Sequence, residues 1–210
     1  MDSIRLNLFP DFSMKKILSS LLPLLLFVVT VSAQEEKPEG LFINSKAPDF
    51  KSTDQNGKEV SLKELKKKGP VVIVFYRGNW CPYCSKFLKK LQDSLQLITD
   101  KKASIVAITP EAKEGIDSTV QKTGAAFPII YDEDMKIAKN YGVFYRVDDR
   151  TVTRYKTAGI DLLKTNNQKE AALPVPAIYV VNKEGSVIFR YFDVDYRKRI
   201  PIRDLAKAIY

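Results

Sequence analysis

An uninterrupted apolar run, Val71–Phe75, leads into the only two cysteines of the chain. The run is short, rich in β-branched residues and preceded by Gly69 and Pro70, which is typical of a strand buried on both faces of a sheet. Pro82 follows Cys81 directly and favours the first position of a helix. The sequence therefore predicts a strand, a turn and a helix that begins at the cysteines, with its apolar face formed by Leu88, Leu91, Leu95 and Ile98.

The position of Cys81 and Cys84 at the start of this helix predicts redox chemistry. Free backbone N–H groups and the helix dipole favour a thiolate there, and two cysteines in one turn can form and break a disulfide with each other. Zinc sites need further cysteines or histidines, and the chain has two Cys and no His. A purely structural disulfide would close too small a loop to stabilise the fold much. We expect both cysteines to be catalytic, with no metal and no cofactor.

Residues 1–33 are predicted to be a secretory signal peptide. Lysines at 15–16 precede an apolar stretch at 17–31, and small residues up to Ala33 resemble a cleavage site. Met14 is an alternative start. The stretch is short for a membrane span and is followed by acidic residues, so we expect no stable membrane anchor. These features predict an exported protein, periplasmic or secreted, in which residues 34–210 form a single redox domain.

The net charge of the chain is +9, from 34 basic and 25 acidic residues. The lysines are spread over several segments and form no nucleic-acid motif, so we expect no nucleic-acid partner. The charge leaves open an acidic partner or an anionic membrane surface.

The remaining segments predict strands that alternate with helices, as in a mostly parallel sheet covered on both faces. An Asn-Gly turn at 56–57 predicts a β-hairpin ahead of the central strand. Residues 143–172 are irregular in pattern and predict a loop-rich insertion with a short helix near 160–163. Other predicted elements are helices at 62–67, 111–122, 134–141 (with Asp134 near its start) and 201–209, strands at 104–109 and 127–131, and a late hairpin that turns at 182–185.

Four blocks of the sequence together resemble the peroxiredoxin-like branch of the thioredoxin superfamily, the alkyl hydroperoxide reductase and thiol-specific antioxidant group. They are Ala-Pro-Asp-Phe at 47–50, the segment 75–84 with its Trp-Cys-Pro-Tyr-Cys motif, Leu-Pro-Val-Pro-Ala at 173–177, and Asp-Val-Asp-Tyr-Arg at 193–197. The resemblance covers nearly all of residues 34–210. It implies an α/β thioredoxin-like fold with a central mixed sheet flanked by helices and an N-terminal β-hairpin.

The resemblance also implies two assignments of the cysteines. By comparison with thioredoxins, Cys81 is the more exposed attacking thiol and Cys84 resolves. The peroxiredoxin pattern Pro-x-x-x-Thr-x-x-Cys implies the opposite roles for the two cysteines. When it is aligned with this sequence, Arg77 matches the proline, Cys81 the threonine and Cys84 the peroxidatic cysteine. The arginine that supports the peroxidatic thiolate in that family would fall near Pro176, which instead matches the cis-proline of thioredoxins.

Several neighbours of the cysteines have two interpretations each. A cis bond before Pro176 would turn Val175 towards a substrate, whereas the alternative is an ordinary proline at a strand start. Arg77 either supplies positive charge near the thiols or lies on the surface at a strand end. Tyr76, Trp80 and Tyr83 form either a rim for a partner or simple packing. A polar group at 193–199 is expected to form an ion-pair cluster of Asp193, Asp195, Tyr196, Arg197 and Arg199.

The leading hypothesis is an exported peroxiredoxin-like thiol oxidoreductase that cycles between dithiol and disulfide at Cys81 and Cys84. It would act on protein or small-molecule disulfides and use a thiol electron donor. The alternative is a thiol peroxidase that reduces hydrogen peroxide or alkyl hydroperoxides with Cys84 as the peroxidatic thiol. A third interpretation, from another class, is a non-catalytic binding module. The buried strand carries no carboxylate, so proton transfer is left to water, a more distant carboxylate or the second thiol.

Overall fold

The computed structural model describes residues 37–210, and the predicted signal peptide lies outside this range. Among residues 37–210 we find no helix with the length and hydropathy that a membrane span requires.

The strands and helices of the described chain alternate as the sequence pattern predicts. The strands are β1 Lys51–Thr53, β2 Glu59–Ser61, β3 Val71–Phe75, β4 Ser104–Thr109, β5 Ile129–Tyr131, β6 Phe144–Arg146, β7 Ala172–Pro174, β8 Ala177–Val181 and β9 Val187–Phe192. The helices are α1 Leu62–Lys68, α2 Pro82–Asp93, α3 Leu95–Thr99, α4 Lys113–Thr123, α5 Lys136–Asn140 after a 3₁₀ turn at Glu133–Met135, α6 Asp149–Thr157, α7 Leu162–Asn166 and α8 Ile202–Lys207.

The central sheet has the strand order β5-β4-β3-β8-β9. Strands β3, β4 and β5 are parallel, and β8 and β9 add to the other edge of β3 in antiparallel pairing. Every residue of β3 is buried, as its continuous apolar run predicts. The sheet is therefore mixed, and the predicted thioredoxin-like arrangement with a separate β1–β2 hairpin is confirmed.

Alternate residues of β3 contribute to two different cores, one on each face of the sheet. Val72 and Val74 pack with apolar residues of α2, α4 and α8, whereas Val71, Ile73 and Phe75 pack with α1 and α5. This alternation follows from the two-residue period of a strand. Because both faces are covered, β3 is held rigidly, and the turn that follows it has a fixed starting point.

The helix after the cysteines is shorter than predicted. It ends at Asp93, and Ser94 separates it from α3. Leu88, Leu91 and Ile98 are buried and Leu95 is partly buried, so the apolar face continues across the break. The helix predicted at 134–141 is also different, because the carboxylate at its N-terminus is that of Asp132, which accepts from the Ile137 and Ala138 N–H groups at 2.7 and 2.8 Å.

The insertion between α5 and β8 is more regular than predicted. Strands β6 and β7 form an antiparallel pair, and α6 and α7 lie between them in the chain. Both helices begin at an aspartate that accepts from a backbone N–H three residues on, Asp148 from Thr151 and Asp161 from Lys164. These are ordinary helix-start signals, so the helices could have been predicted from the sequence.

Candidate active site

Strand β3 and helix α2 bring the two cysteines together at the end of the sheet. Cys81 precedes Pro82, the first residue of α2, and Cys84 lies in the first turn. The Cys81 N–H donates to the Gly78 carbonyl oxygen at 3.1 Å and thereby fixes the turn before the helix. Both cysteines are free thiols, and their sulfurs are 2.8 Å apart. This separation allows the pair to close into a disulfide with little movement.

The expectation that Cys81 is the more exposed thiol is wrong, because both residues are 1% exposed. The reason is the ordered insertion, in which Tyr155 of α6 stacks on Trp80 with the ring centroids 5.3 Å apart. Trp80 in turn packs against the core cluster that contains both cysteines. Their nearly equal solvent exposure therefore does not say which thiol attacks.

Hydrogen bonding and charge separate the pKa values of the two cysteines. The Cys84 thiol donates to the Cys81 sulfur, and this bond, followed by the Cys84 N–H and the charges of Arg77 and Arg199, lowers the pKa of Cys81 to about 6 although burial opposes it. Burial raises the pKa of Cys84 well above its ordinary value, and a thiolate at Cys81 raises it further. Near neutral pH the pair therefore carries one negative charge, on Cys81.

Arg77 is buried and not on the surface. Its side chain is 1% exposed and donates to the Tyr155 hydroxyl. The guanidinium carbon lies 4.9 Å from the Trp80 ring centroid and 4.0 Å from that of Tyr196, which are cation–π distances. Within residues 37–210 no carboxylate pairs with Arg77, and its Nε has no hydrogen-bond partner. The interpretation that Arg77 supplies positive charge near the thiols is favoured.

A second arginine reaches the cysteines from the end of β9. Arg199 Nη2 lies 3.3 Å from the Cys84 sulfur. The ion-pair cluster predicted at 193–199 is only partly present: Arg197 pairs with Asp195 at 2.8 Å, and Asp193 pairs instead with Lys198 at 3.3 Å. Arg199 lies outside that cluster and belongs to the thiol site. Sequence reasoning missed this role because 115 residues separate Arg199 from Cys84.

The three aromatic candidates have different positions. Tyr76 is only 2% exposed and its hydroxyl faces Thr119 at 3.4 Å, so it is a core residue and not part of a rim. Trp80 is partly buried over the cysteines. Tyr83 is 42% exposed and contacts the Tyr196 ring edge-on at 5.9 Å between centroids. Only Tyr83 and Trp80 are placed to meet a partner at this surface.

Pro176 and Val175 are both buried next to the site, but the expected cis bond is absent. All peptide bonds within residues 37–210 are trans. The Val175 N–H donates to the Val143 carbonyl oxygen at 2.7 Å, which holds the segment in line with β7 and leads Pro176 straight into β8. Pro176 lines a small cavity with Cys84 and Arg199, so the structure does bring it to one of the two sulfurs.

Glu111 is a site residue that the sequence analysis missed. It was expected inside a helix starting at 111, but α4 begins at Lys113, and Glu111 is completely buried. Its carboxylate accepts from the Asn79 N–H at 2.7 Å and from the Asn79 side-chain amide at 2.6 Å. An added Cβ on Gly78 or Gly115 would lie 2.8 Å from the Glu111 carboxyl carbon, so the absence of two side chains makes room for this residue. Glu111 thus fixes the turn that leads into Cys81.

Burial raises the pKa of Glu111 to about 7 from its ordinary 4.5, against the hydrogen bonds from Asn79 and the charge of Lys122. Between pH 4.5 and about 7 the folded protein holds a proton on Glu111 that the unfolded chain has released. The stabilising contribution of this carboxyl is therefore complete below pH 4.5 and is lost as pH rises through 7. The unfolding free energy of the wild type minus that of Glu111→Gln should fall by about 3 kcal/mol across this interval.

Chemical denaturation at several pH values measures this difference. Glu114→Gln, which removes an exposed carboxyl from the first turn of the following helix α4, is the matched control. A wild-type minus Glu111→Gln difference that stays constant with pH would show that Glu111 does not titrate with folding.

Comparison with known proteins identifies the family. The sequence profile of the AhpC/TSA family matches residues 43–190, a segment that includes both cysteines, Arg77, Glu111 and Pro176. The chain belongs to the AhpC/TSA family. This confirms the resemblance to the peroxiredoxin-like branch of the thioredoxin superfamily.

Relatives of this AhpC/TSA chain have names from two activity classes. The thiol-disulfide oxidoreductase ResA of Bacillus thuringiensis (strain Al Hakam) is 32% identical over 106 residues, which are 50% of this chain and 60% of that protein. ResA of Bacillus cereus (strain ATCC 10987 / NRS 248) is 26% identical over 157 residues, 74% of this chain and 71% of that protein. Chloroplastic peroxiredoxin Q of Sedum lineare is 31% identical over 128 residues, 59% of this chain and 68% of that protein.

Solved structures support the fold of the AhpC/TSA chain. Peroxidoxin BcpB from Mycobacterium tuberculosis matches with a TM-score of 0.61 at 18% identity and covers 80% of this chain and 95% of that one. The thioredoxin domain of the thiol-disulfide oxidoreductase BVU-2223 from Bacteroides vulgatus matches with a TM-score of 0.51 at 17% identity and covers 81% and 99%. The same architecture therefore occurs in proteins of both classes, and the choice between them depends on the site.

Proposed function

We propose that this protein is a thiol–disulfide oxidoreductase in which Cys81 attacks and Cys84 resolves. The observation that carries the proposal is the pair of sulfurs 2.8 Å apart, with the pKa of Cys81 lowered and that of Cys84 raised. The attacking group of a disulfide exchange is a thiolate, and Cys81 supplies it near neutral pH. The ResA relatives support this activity by their names.

The exchange proceeds in two balanced steps. The Cys81 thiolate attacks one sulfur of the substrate disulfide, forms a mixed disulfide and releases the other sulfur as a thiolate. Cys84 then loses its proton and attacks the Cys81 sulfur, which closes the Cys81–Cys84 disulfide and releases the second substrate sulfur as a thiol. The substrate gains two electrons and the one proton that leaves Cys84; the thiolate released first takes its proton from water. A thiol donor restores the reduced pair by the reverse exchange.

Two groups support proton transfer in the second step. Arg199 at 3.3 Å stabilises negative charge on Cys84 as its proton leaves. Glu111, with a pKa raised by burial to about 7, can exchange a proton near neutral pH and is our candidate for the more distant carboxylate.

We further propose that the protein works outside the cytosol. The support is the signal-peptide pattern of residues 1–33. In such a compartment disulfides persist, so the reduced pair depends on a dedicated thiol donor.

Peroxide reduction is the second candidate, and Arg199 favours it. A guanidinium 3.3 Å from Cys84 resembles the arrangement expected for a peroxidatic thiolate at that position. In that reaction a thiolate attacks one oxygen of the O–O bond and becomes a sulfenic acid, while the other oxygen leaves as water or as an alcohol. The second cysteine then attacks the sulfenic acid, which closes the disulfide and releases water. The raised pKa of Cys84 works against it.

Alkylation and peroxide kinetics on Cys84→Ser and Cys81→Ser test the assignment. In Cys84→Ser the serine hydroxyl can still donate to Cys81, so we expect iodoacetamide to modify Cys81 with a midpoint near pH 6. Cys84 in Cys81→Ser should react only at much higher pH. The unfolded proteins in denaturant serve as controls, where both thiols should titrate near their ordinary pKa of about 8.5.

Stopped-flow oxidation of the reduced wild type by hydrogen peroxide separates the two activities. We expect a rate no greater than that of a free thiolate. Much faster oxidation that is lost in Cys84→Ser and kept in Cys81→Ser would instead establish the peroxidase with Cys84 as its reacting thiol.

A further inference from the structure

A groove runs along α2 from Tyr83, the residue before Cys84, to the start of α8. Its volume is about 600 Å³, within the usual range of ligand sites. One wall is the exposed face of α2, and the other is the segment that leads from β9 into α8. The groove joins the redox site through Arg199, which lines it and also contacts the Cys84 sulfur.

The charge in this groove is positive and mostly unpaired. Lys86 and Lys90 are exposed one helical turn apart on the same face of α2. Within residues 37–210 neither lysine forms an ion pair, and Arg199 has no carboxylate partner. The acidic lining residue, Asp93, already pairs with Lys89 at 2.8 Å. An anionic occupant would therefore meet Lys86 and Lys90 without displacing a carboxylate, whereas Arg199 already donates to the Tyr196 and Lys198 carbonyl oxygens and Arg197 pairs with Asp195.

Apolar surface lies between the cations. Phe87 and Ile202 are buried at the base of the groove, and Ile200 is partly buried beside them. At the end near the cysteines, Tyr83 is 42% exposed and forms an aromatic pair with Tyr196. A groove with an apolar base and cationic edges suits an extended polypeptide that carries both apolar and acidic side chains.

We propose that the groove binds an acidic segment of a polypeptide substrate and presents the neighbouring disulfide to Cys81. The proposal adds a substrate class to the proposed thiol–disulfide function, and it rests on that function because only a disulfide substrate would need to lie next to the cysteines. Nucleic acids and anionic lipids would also be attracted by the cations, but they carry no sulfur for the cysteine pair to exchange. Only the polypeptide uses both the groove and the site at its end.

Two synthetic peptides of equal length test the proposal. Each carries one cysteine as a mixed disulfide with 2-mercaptoethanol, flanked by glutamates in one peptide and by glutamines in the other. The wild type should react faster with the acidic peptide. This preference should disappear as ionic strength rises from about 0.01 M to about 1 M, where the screening length falls from about 30 Å to about 3 Å.

The double variant Lys86→Gln, Lys90→Gln should react with the acidic peptide about fivefold to tenfold more slowly at low salt, with the loss in the association step. The control Lys58→Gln, Lys101→Gln removes the same charge from exposed lysines that do not line the groove, and it should react like the wild type. Equal losses of rate in both double variants would show that the net charge of the protein, and not the groove, attracts the acidic peptide, and would overturn the proposal. Equal rates of the wild type with the glutamate and glutamine peptides would also overturn the proposal.

Two further measurements separate failure of the groove from failure of the redox assignment. Exchange with the neutral 2-hydroxyethyl disulfide reports the chemistry alone, and the rate with the acidic peptide divided by this rate should fall only in Lys86→Gln, Lys90→Gln. Binding of an acidic peptide with serine in place of cysteine reports the groove alone and should weaken only in Lys86→Gln, Lys90→Gln. Equal binding of this peptide by all three proteins would refute the proposed binding role of the groove even if the redox chemistry is confirmed.

Tighter binding of an acidic phospholipid vesicle or an oligonucleotide than of this peptide would overturn the proposal and assign the groove to another class of partner.

Discussion

Incubation of the Cys84→Ser variant with a disulfide substrate should leave a stable mixed disulfide on Cys81, whereas Cys81→Ser should form none. The reason is that the two cysteines have different roles in the proposed exchange. Cys81 has the lowered pKa and attacks, but with serine at position 84 no thiol is available to release the captured substrate. Non-reducing electrophoresis and mass spectrometry of the trapped species measure the result.

The double variant Cys81→Ser, Cys84→Ser is the control for both single variants. It should form no adduct and should have no exchange activity above the uncatalysed background. A mixed disulfide formed through Cys84 alone would reverse the assignment and support the peroxiredoxin-like order of the two cysteines. Full biological activity of the double variant would mean that the protein is a binding module and not an enzyme.

The strand, turn and helix around the cysteines could be predicted because their signals are local. The continuous apolar run of β3, Pro82 after Cys81 and the helical spacing of Leu88 and Leu91 all lie within a short segment. Each signal reports on backbone conformation and burial of its own element. The expectation of a mixed central sheet came from family resemblance, and the order of its strands was not predicted, because periodicity alone does not say which strands are neighbours.

The electrostatic partners of the cysteines depend on contacts that are distant in sequence. Arg77 is buried because Tyr155 and Tyr196 surround it, and Tyr155 is 78 residues away. Glu111 is buried because Gly78 and Gly115, from two different elements, leave space for its carboxyl group. A charged residue is usually solvated, so the sequence left the position of Arg77 open between the surface and the thiols and gave no signal that Glu111 is buried.

Two arginine charges add to the Cys84 hydrogen bond in lowering the pKa of Cys81, in a chain that has no histidine. Within residues 37–210 no cluster of three candidate metal ligands occurs. The positive charge near the thiols comes from two arginines that are distant in sequence, Arg77 after β3 and Arg199 before α8. Because an arginine stays protonated at all accessible pH values, its effect on Cys81 does not weaken as pH rises.

Replacing Arg77 with methionine should raise the pKa of Cys81 by about one unit, because a positive charge that stabilises the thiolate is removed. The midpoint of the pH–rate profile for exchange should move to higher pH by the same amount, and at alkaline pH the more basic thiolate of the variant should react at least as fast as the wild type. Since the thiolate of the reduced form is less stabilised, the reduction potential should fall by about 30 mV. Iodoacetamide titration and equilibration with glutathione measure the two quantities.

The same variant should keep its folding stability or gain some. A guanidinium that is 1% exposed without a carboxylate partner is costly to bury, and cation–π contacts offset only part of that cost. Arg77→Lys keeps the charge and should retain a lowered Cys81 pKa. Arg190→Met is the matched control, because Arg190 also lies between aromatic rings, 5.0 Å from those of Phe42 and Phe192, but does not act on the cysteines. If Arg77→Met unfolds at lower denaturant concentration while the pKa of Cys81 stays unchanged, Arg77 is a structural residue, and the lowered pKa must come from the Cys84 hydrogen bonds and Arg199.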